Sequence, residues 1–272
     1  MPSRRDILGA AAAIAALATA GVPVAADQAM DPWPDIRAAF FGDKPIEEGA
    51  DIVALEAPTR AYDAAIVPIT VVAKIPQTPA RYIKSVHLII DENPAPLAGV
   101  FHFTPESGNA SFSTRVRVDA YTNMRAVAET SDGRLYMATR FVKAAGGCSA
   151  PALKDAERAM AMLGKMKLKD VPGVAPAGLR QAQLLISHPN FSGMQFDQIS
   201  RTYIPAHFVE SIRIDHGGRT ILTVEGNISL SEDPSIHFNY LPEPDGPISV
   251  EVKDSEGMTF SQSWPAPVAS GS

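Results

Sequence analysis

Among the 272 residues one side chain stands apart chemically: Cys148 is the sole cysteine, in Ala144-Ala145-Gly146-Gly147-Cys148-Ser149-Ala150-Pro151. A lone thiol cannot form an internal disulfide, and it rules out any zinc site that needs two or more thiolates. What remains is chemistry on the sulfur itself: a thioether, a persulfide or a mixed disulfide. Gly146 and Gly147 lack Cβ atoms, so the backbone before the thiol can reorient at little steric cost, which predicts a flexible arm. The small neighbours would let the sulfur enter a narrow pocket on another protein. Ser149 stands where it would cap a following helix, whose N-terminal partial charge would favour thiolate. The alternative is an incidental thiol in a linker. An unpaired thiol is a hazard in an oxidising compartment, which favours a thiol that is used.

The rest of the sequence holds little competing chemistry. It contains no Gly-x-Gly-x-x-Gly, Walker loop, Gly-x-Ser-x-Gly or His-Glu-x-x-His, so nucleotide, hydrolase and zincin readings lose their support. The six histidines, His87, His102, His188, His207, His216 and His237, are dispersed, and structural imidazoles are the expectation. In Ser187-His188-Pro189 and Ile204-Pro205-Ala206-His207-Phe208, no neighbouring acid is placed by sequence to orient the ring. Glu47, Glu48 and Glu106 show no pairing suited to acid–base work. No metal site, cofactor or catalytic residue is therefore expected. A thiol enzyme ranks below a carrier, because no base is placed to activate the sulfur and a glycine-rich arm holds geometry poorly.

Several elements must position this thiol. The composition, 46% hydrophobic and 20% charged with Gly 19 and Pro 23, suits a turn-rich chain of one large or two smaller domains. A net charge of -6 disfavours nucleic acid and anionic membranes as partners. Residues 1–26 carry Arg4-Arg5, an Ala-rich apolar run and Val24-Ala25-Ala26, the pattern of a twin-arginine signal that directs a protein to the periplasm. The run is too short and too often interrupted for a comfortable span. After its removal no membrane association is expected.

From residue 66 onward, short β-type runs alternate with turn residues. In 110–118 the even positions are mostly apolar and the odd ones are Ser111, Ser113, Arg115 and Arg117, the period of a half-buried strand. Asp132-Gly133 predicts a type I′ hairpin. A second block begins near Gln181, and in it Ile248, Val250 and Val252 alternate with Ser249, Glu251 and Lys253. The expected fold is all-β: two immunoglobulin-like antiparallel β-sandwiches at 27–143 and 181–268. They are joined by residues 144–180, which hold the cysteine arm, a short helix and an extended linker at 170–178. Two helices are expected. One covers 35–41 and packs Ile36 and Phe40; the other carries a stripe of Ala156, Ala159, Met160, Leu163 and Met166 as a docking face.

The first block resembles the SoxY half of the SoxYZ carrier of bacterial sulfur oxidation. The resemblance rests on Tyr82-Ile83-Lys84-Ser85-Val86-His87-Leu88, Phe101-His102-Phe103-Thr104-Pro105, Ser113-Thr114-Arg115-Val116-Arg117, Val127-Ala128-Glu129, Ser131-Asp132-Gly133 and Gly146-Gly147-Cys148. The second block resembles SoxZ through Ile186-Ser187-His188-Pro189-Asn190, Ile204-Pro205-Ala206-His207-Phe208-Val209, Gly217-Gly218-Arg219-Thr220 and Ser231-Glu232-Asp233-Pro234. The resemblance implies a non-enzymatic periplasmic carrier that holds a sulfur species covalently on Cys148 and presents it to Sox-type partners, with Gly146 and Gly147 as the arm. Ser149-Ala150 stand where the separate SoxY chain would end in Gly-Gly, and the chain runs on into the SoxZ-like half. That matches the fused carrier type associated with quinoprotein dehydrogenases that use pyrroloquinoline quinone. A second reading is an accessory protein of such a dehydrogenase whose thiol is dispensable.

Overall fold

Alternation of apolar and polar side chains writes most of this molecule, because a strand with one wet face buries every second residue. In the computed structural model, which describes residues 31–151, 156–243 and 246–265, the first half holds α1 (Trp33–Phe41), β1 (Ile46–Glu48), β2 (Val53–Glu56), β3 (Val67–Ala73), β4 (Ile83–Ile90), β5 (Leu97–Phe103), β6 (Phe112–Val116), β7 (Thr122–Thr130) and β8 (Leu135–Val142). After α2 (Ala156–Ala161) come β9 (Met166–Asp170), β10 (Arg180–Ile186), β11 (Phe196–Asp197), β12 (Thr202–Tyr203), β13 (Val209–His216), β14 (Arg219–Gly226), β15 (Ser235–Tyr240), β16 (Ile248–Asp254) and β17 (Thr259–Trp264). The expected signal at 1–26 lies outside the described residues. No helix among the described residues is long and apolar enough to cross a membrane.

The strands form two large sheets, and both run through the two halves. The nine-stranded sheet has the order β1-β8-β7-β4-β5-β14-β13-β16-β17, and the six-stranded one β2-β3-β6-β15-β10-β9. Each half supplies both layers of a sandwich, and the sandwiches join edge to edge at β5–β14 and β6–β15. Phe101 pairs with Val224 across the first joint, and Phe112 with Phe238 across the second. Phe101 and Phe112 then stack at 3.9 Å between the layers. All four side chains are buried, and each buried phenylalanine contributes on the order of 2–3 kcal/mol. Gly99 permits the close approach at β5–β14, since a Cβ there would lie 2.8 Å from the Glu225 carbonyl oxygen. The described residues from Pro32 onward accordingly form one compact unit, and the two joints cover four strand borders that would otherwise be exposed.

Local expectations need four corrections. Helix α1 spans Trp33–Phe41 and buries Ile36 and Phe41, while Phe40 faces solvent. Trp33 covers the Arg125 guanidinium at 4.1 Å, and Arg125 is paired with buried Asp91 at 2.7 Å. The Asp132-Gly133 turn is not type I′, because only Gly133 has positive φ, at 82°. The Thr130 and Gly133 bonds close a three-residue loop with Gly133 left-handed. The helical stripe breaks at Gly164, which has φ of 74°, and Met166 begins strand β9 instead. The supposed linker at 170–178 is the connection of an antiparallel hairpin, since β9 pairs with β10 from Asp170–Ala182 to Met166–Ile186.

Candidate functional site

Where β6 leaves the sheet, Arg117, Val118 and Asp119 run beside the cysteine arm, at the joint between the halves. The Gly146 N–H donates to the Asp119 carbonyl (2.7 Å), and the Gly147 N–H to that of Val118 (2.9 Å). Gly146 has φ of 77°, a conformation that favours glycine. Gly147 is required for a different reason. A Cβ there would overlap the Ala64 carbonyl oxygen and lie 2.7 Å from that of Val118. In this structure the arm is packed and hydrogen-bonded, and Cys148 is fully buried.

The second half closes over the thiol. Ser192 Oγ donates to the Cys148 carbonyl at 2.5 Å, and Gln195 Nε2 to the Ala150 carbonyl at 3.0 Å. Arg117, itself buried, donates from one guanidinium nitrogen to the Gly147 carbonyl (3.2 Å) and from the other to the Asn190 carbonyl (3.3 Å). One arginine thus ties the arm of the first half to the loop of the second. The Cys148 N–H points to Asp119 Oδ1 at 3.4 Å. Burial, followed by the Asp119 charge, pushes the thiol pKa up to about 12 against the opposing effect of Arg117. The expected thiolate is therefore a neutral thiol. The Ser149 hydroxyl donates to the Gly146 carbonyl at 3.3 Å, while residues 152–155, which its expected cap would serve, lie outside the described residues.

The loop that covers the thiol is anchored by residues whose role the sequence did not show. Asn190 sits at φ of 47°, strained for a non-glycine residue. Its Nδ2 donates to the Leu230 carbonyl, and its Oδ1 accepts the Val209 N–H, both at 2.9 Å. Its own N–H donates to His188 Nδ1 at 3.0 Å. Nε2 of His188 and Nε2 of His207 both face Asp254 Oδ2, at 3.5 and 2.8 Å. The acid missing near these histidines in sequence arrives from the far end of β16. Oδ1 of Asp254 also accepts the N–H groups of Glu256 and Met258 at 3.1 and 2.8 Å. A carboxylate followed by a tight Gly turn is the only sequence signal that could have pointed to it.

This trio is the one group among the described residues with metal-ligand composition, its ligand atoms lying within 4.8 Å of one another. Its hydrogen bonding suits a clip better than a cation site. Because His188 Nδ1 accepts a backbone N–H, its neutral ring carries the proton on Nε2, directed at the carboxylate. Binding a cation through Nε2 would move that proton to a nitrogen already facing a donor. Burial, reinforced by the neighbouring His207, lowers the His188 pKa to about 4, against the pull of Asp254. The other histidines are dispersed: His87 packs on Phe41, His216 on Tyr240, and His102 bonds Glu225 across the joint at 3.0 Å. Glu47 pairs with Arg134, and Glu106 lies 3.8 Å from Arg219.

The arrangement is thus a single buried thiol on a glycine arm, held between two sandwiches by bonds to its carbonyls. Its two blocks coincide with two family models: "Sulfur oxidation protein SoxY" matches residues 37–148, ending at the cysteine, and "Sulphur oxidation protein SoxZ" matches residues 171–265. Among solved structures, the sulfur carrier protein SoxY from Chlorobium limicola f thiosulfatophilum is 30% identical, covering 42% of this chain and 91% of that one with a TM-score of 0.35. A superoxide reductase (neelaredoxin) from Ignicoccus hospitalis is 17% identical over 35% of this chain and 81% of its own, with a TM-score of 0.32. No curated protein matches the sequence. The chain belongs to the SoxY family, fused in one polypeptide to a SoxZ domain.

Proposed function

We propose that the protein is a non-enzymatic carrier of sulfur oxidation that holds a sulfur species covalently on Cys148 and presents it to partner enzymes in the periplasm. The observation that carries this reading is the placement of the sole thiol on a Gly-Gly arm at the end of the SoxY match, held through its carbonyls by the SoxZ half. The family supports the carrier role, and the residues 1–26 pattern supports export. A fully buried thiol cannot be loaded, so loading requires the arm to leave Ser192 and Gln195. Because Cys148 is tethered on both sides, it would enter a partner as a loop, which calls for a wider or shallower partner pocket than a free chain end needs. Oxidation of the pathway's sulfur belongs to the partners: the groups acting on the thiol, Asp119 and Arg117, include no base suited to activating it.

The fusion of the two halves favours the second reading as a variant: an accessory protein of a dehydrogenase that uses pyrroloquinoline quinone, with a dispensable thiol. One experiment separates the two. The mature protein, purified from a periplasm that also makes its partners, is weighed intact before and after reductant beside Cys148→Ser. A reductant-sensitive added mass that is absent from Cys148→Ser is the expected result. An unmodified thiol in cells with the pathway active, together with full function of Cys148→Ser, would select the accessory role.

A further inference from the structure

On the outer face of the six-stranded sheet, Arg115 stands two residues before Arg117 among a second set of groups that the carrier role does not use. Register places Thr70, Ser113, His237 and Gln183 side by side across β3, β6, β15 and β10, in one row that crosses the joint. Together with Arg115 and Ser235 they line a cavity of about 260 Å³, and no carboxylate lies among its lining residues. This is unusual surface on a chain of net charge -6. The row continues to Lys169, paired with Gln183 on β9, and in the other direction to Glu56, paired with Thr70 on β2.

The hydrogen-bond accounting leaves donors over. Thr70 and Ser113 share one bond at 2.8 Å, so one of the two hydroxyl protons is free. Ser235 Oγ accepts from Gln183 Nε2 at 2.9 Å and keeps its own proton to give. Arg115 spends one terminal nitrogen on the Asp233 carbonyl at 2.9 Å and makes no ion pair among the described residues. The His237 ring makes no hydrogen bond among them. Its pKa is lowered by burial and then by the Arg115 charge, and that guanidinium faces the cavity with no carboxylate among the lining residues. Hydroxyl, amide and guanidinium donors around a cationic centre are the set that recognises a tetrahedral oxyanion.

We propose that this groove, assembled only where the two halves meet, binds a small tetrahedral oxyanion such as sulfate between Arg115, His237 and the hydroxyls of Ser113 and Ser235. The site is independent of Cys148. The test titrates the full mature chain with sodium sulfate, against sodium chloride at matched ionic strength. Calorimetry gives the affinity, and the His237 ring resonances give the location. The expected result is a saturable shift of His237 with sulfate alone, at least a tenfold loss of affinity in Arg115→Met, and native affinity in Cys148→Ser. An equal shift with chloride, or sulfate binding at native affinity in Arg115→Met, would overturn the proposal. If Arg115→Met does not fold, the His237→Gln/Ser235→Ala pair serves instead, with unchanged affinity again the overturning result.

Discussion

Two buried polar assemblies meet at the seam, and they are built to different standards. The loop around Asn190 is fixed by a carboxylate that bonds His207 and two turn N–H groups and faces His188 at 3.5 Å, and by both ends of an asparagine side chain, against three separate segments. The arm that carries Cys148 rests on that loop through two neutral hydrogen bonds to its carbonyls, with the Arg117 guanidinium as the one charged donor bridging arm and loop, and among the described residues it makes no ion pair to the loop. Charged, multiply bonded groups are costly to separate inside a protein, whereas single neutral hydrogen bonds are each worth about 1 kcal/mol net. The difference assigns the roles. The second half supplies the fixed surface, and the first half supplies the part that can leave it.

Removing the carboxylate from the fixed part is the strongest way to break this contrast. Asp254→Ala removes the carboxylate facing the Nε2 atoms of two buried imidazoles and leaves two turn N–H groups unbonded, for an expected loss of about 3–5 kcal/mol by analogy with broken buried pairs. Urea unfolding measures it. If the midpoint stays where it is, the clip contributes nothing. Acid acts on the same place. The folded His188 pKa of about 4 lies below the ordinary 6.5, so the unfolded chain binds the proton more readily. Its contribution is fully present above about pH 6.5 and is lost as pH falls toward 4, amounting to roughly 3 kcal/mol. In His188→Gln that part of the acid dependence should flatten.

The sequence and the structure agree where a short period decides the outcome and part where distant residues do. The strands at 110–118 and 248–253 were readable because two-residue alternation is local. Met160, Leu163 and Met166 mimic a helical stripe, and only the turn at Gly164 shows that Met166 opens a strand. The sequence shows where Cys148 stands but not how its segment packs, since glycine and alanine permit mobility and close packing equally. Packing is decided here by Ala64 and Val118, whose carbonyls leave no room beside Gly147. Asp254 could not be joined to His188 from sequence, because 65 intervening residues carry no sign of which turn returns to which loop.

Gly147→Ala tests the packed arm directly. The added methyl meets backbone rather than a yielding side chain, so the arm must shift, at an expected cost of about 1–3 kcal/mol. The thiol should become accessible to an aromatic disulfide reagent under native conditions. Continued protection with native stability would mean that the backbone at Ala64 and Val118 yields freely. Gly146→Ala, with open space around the added methyl, should expose the thiol less and act mainly through its positive φ, at about 1 kcal/mol.

The mildest change is the most informative about the door itself. Ser192→Ala removes the donor to the Cys148 carbonyl, and with it the acceptor of the Met194 N–H, while leaving the His188–His207–Asp254 clip intact. A buried thiol reacts only from the opened state, so its rate follows the opening equilibrium, and 1.4 kcal/mol corresponds to a tenfold change. Loss of the one neutral hydrogen bond to the arm, about 1 kcal/mol, predicts a rise in thiol reactivity of roughly fivefold at pH 8, with global stability lowered by about 1 kcal/mol for each of the two bonds lost. Adding Gln195→Ala should multiply the effect if the two bonds hold the arm independently, and should add nothing if Ser192 alone sets the closed position. A Ser192→Ala rate equal to the native rate would place the barrier at Arg117 and the Gly147 carbonyl, making the arginine, not the second half's loop, the group that releases the arm.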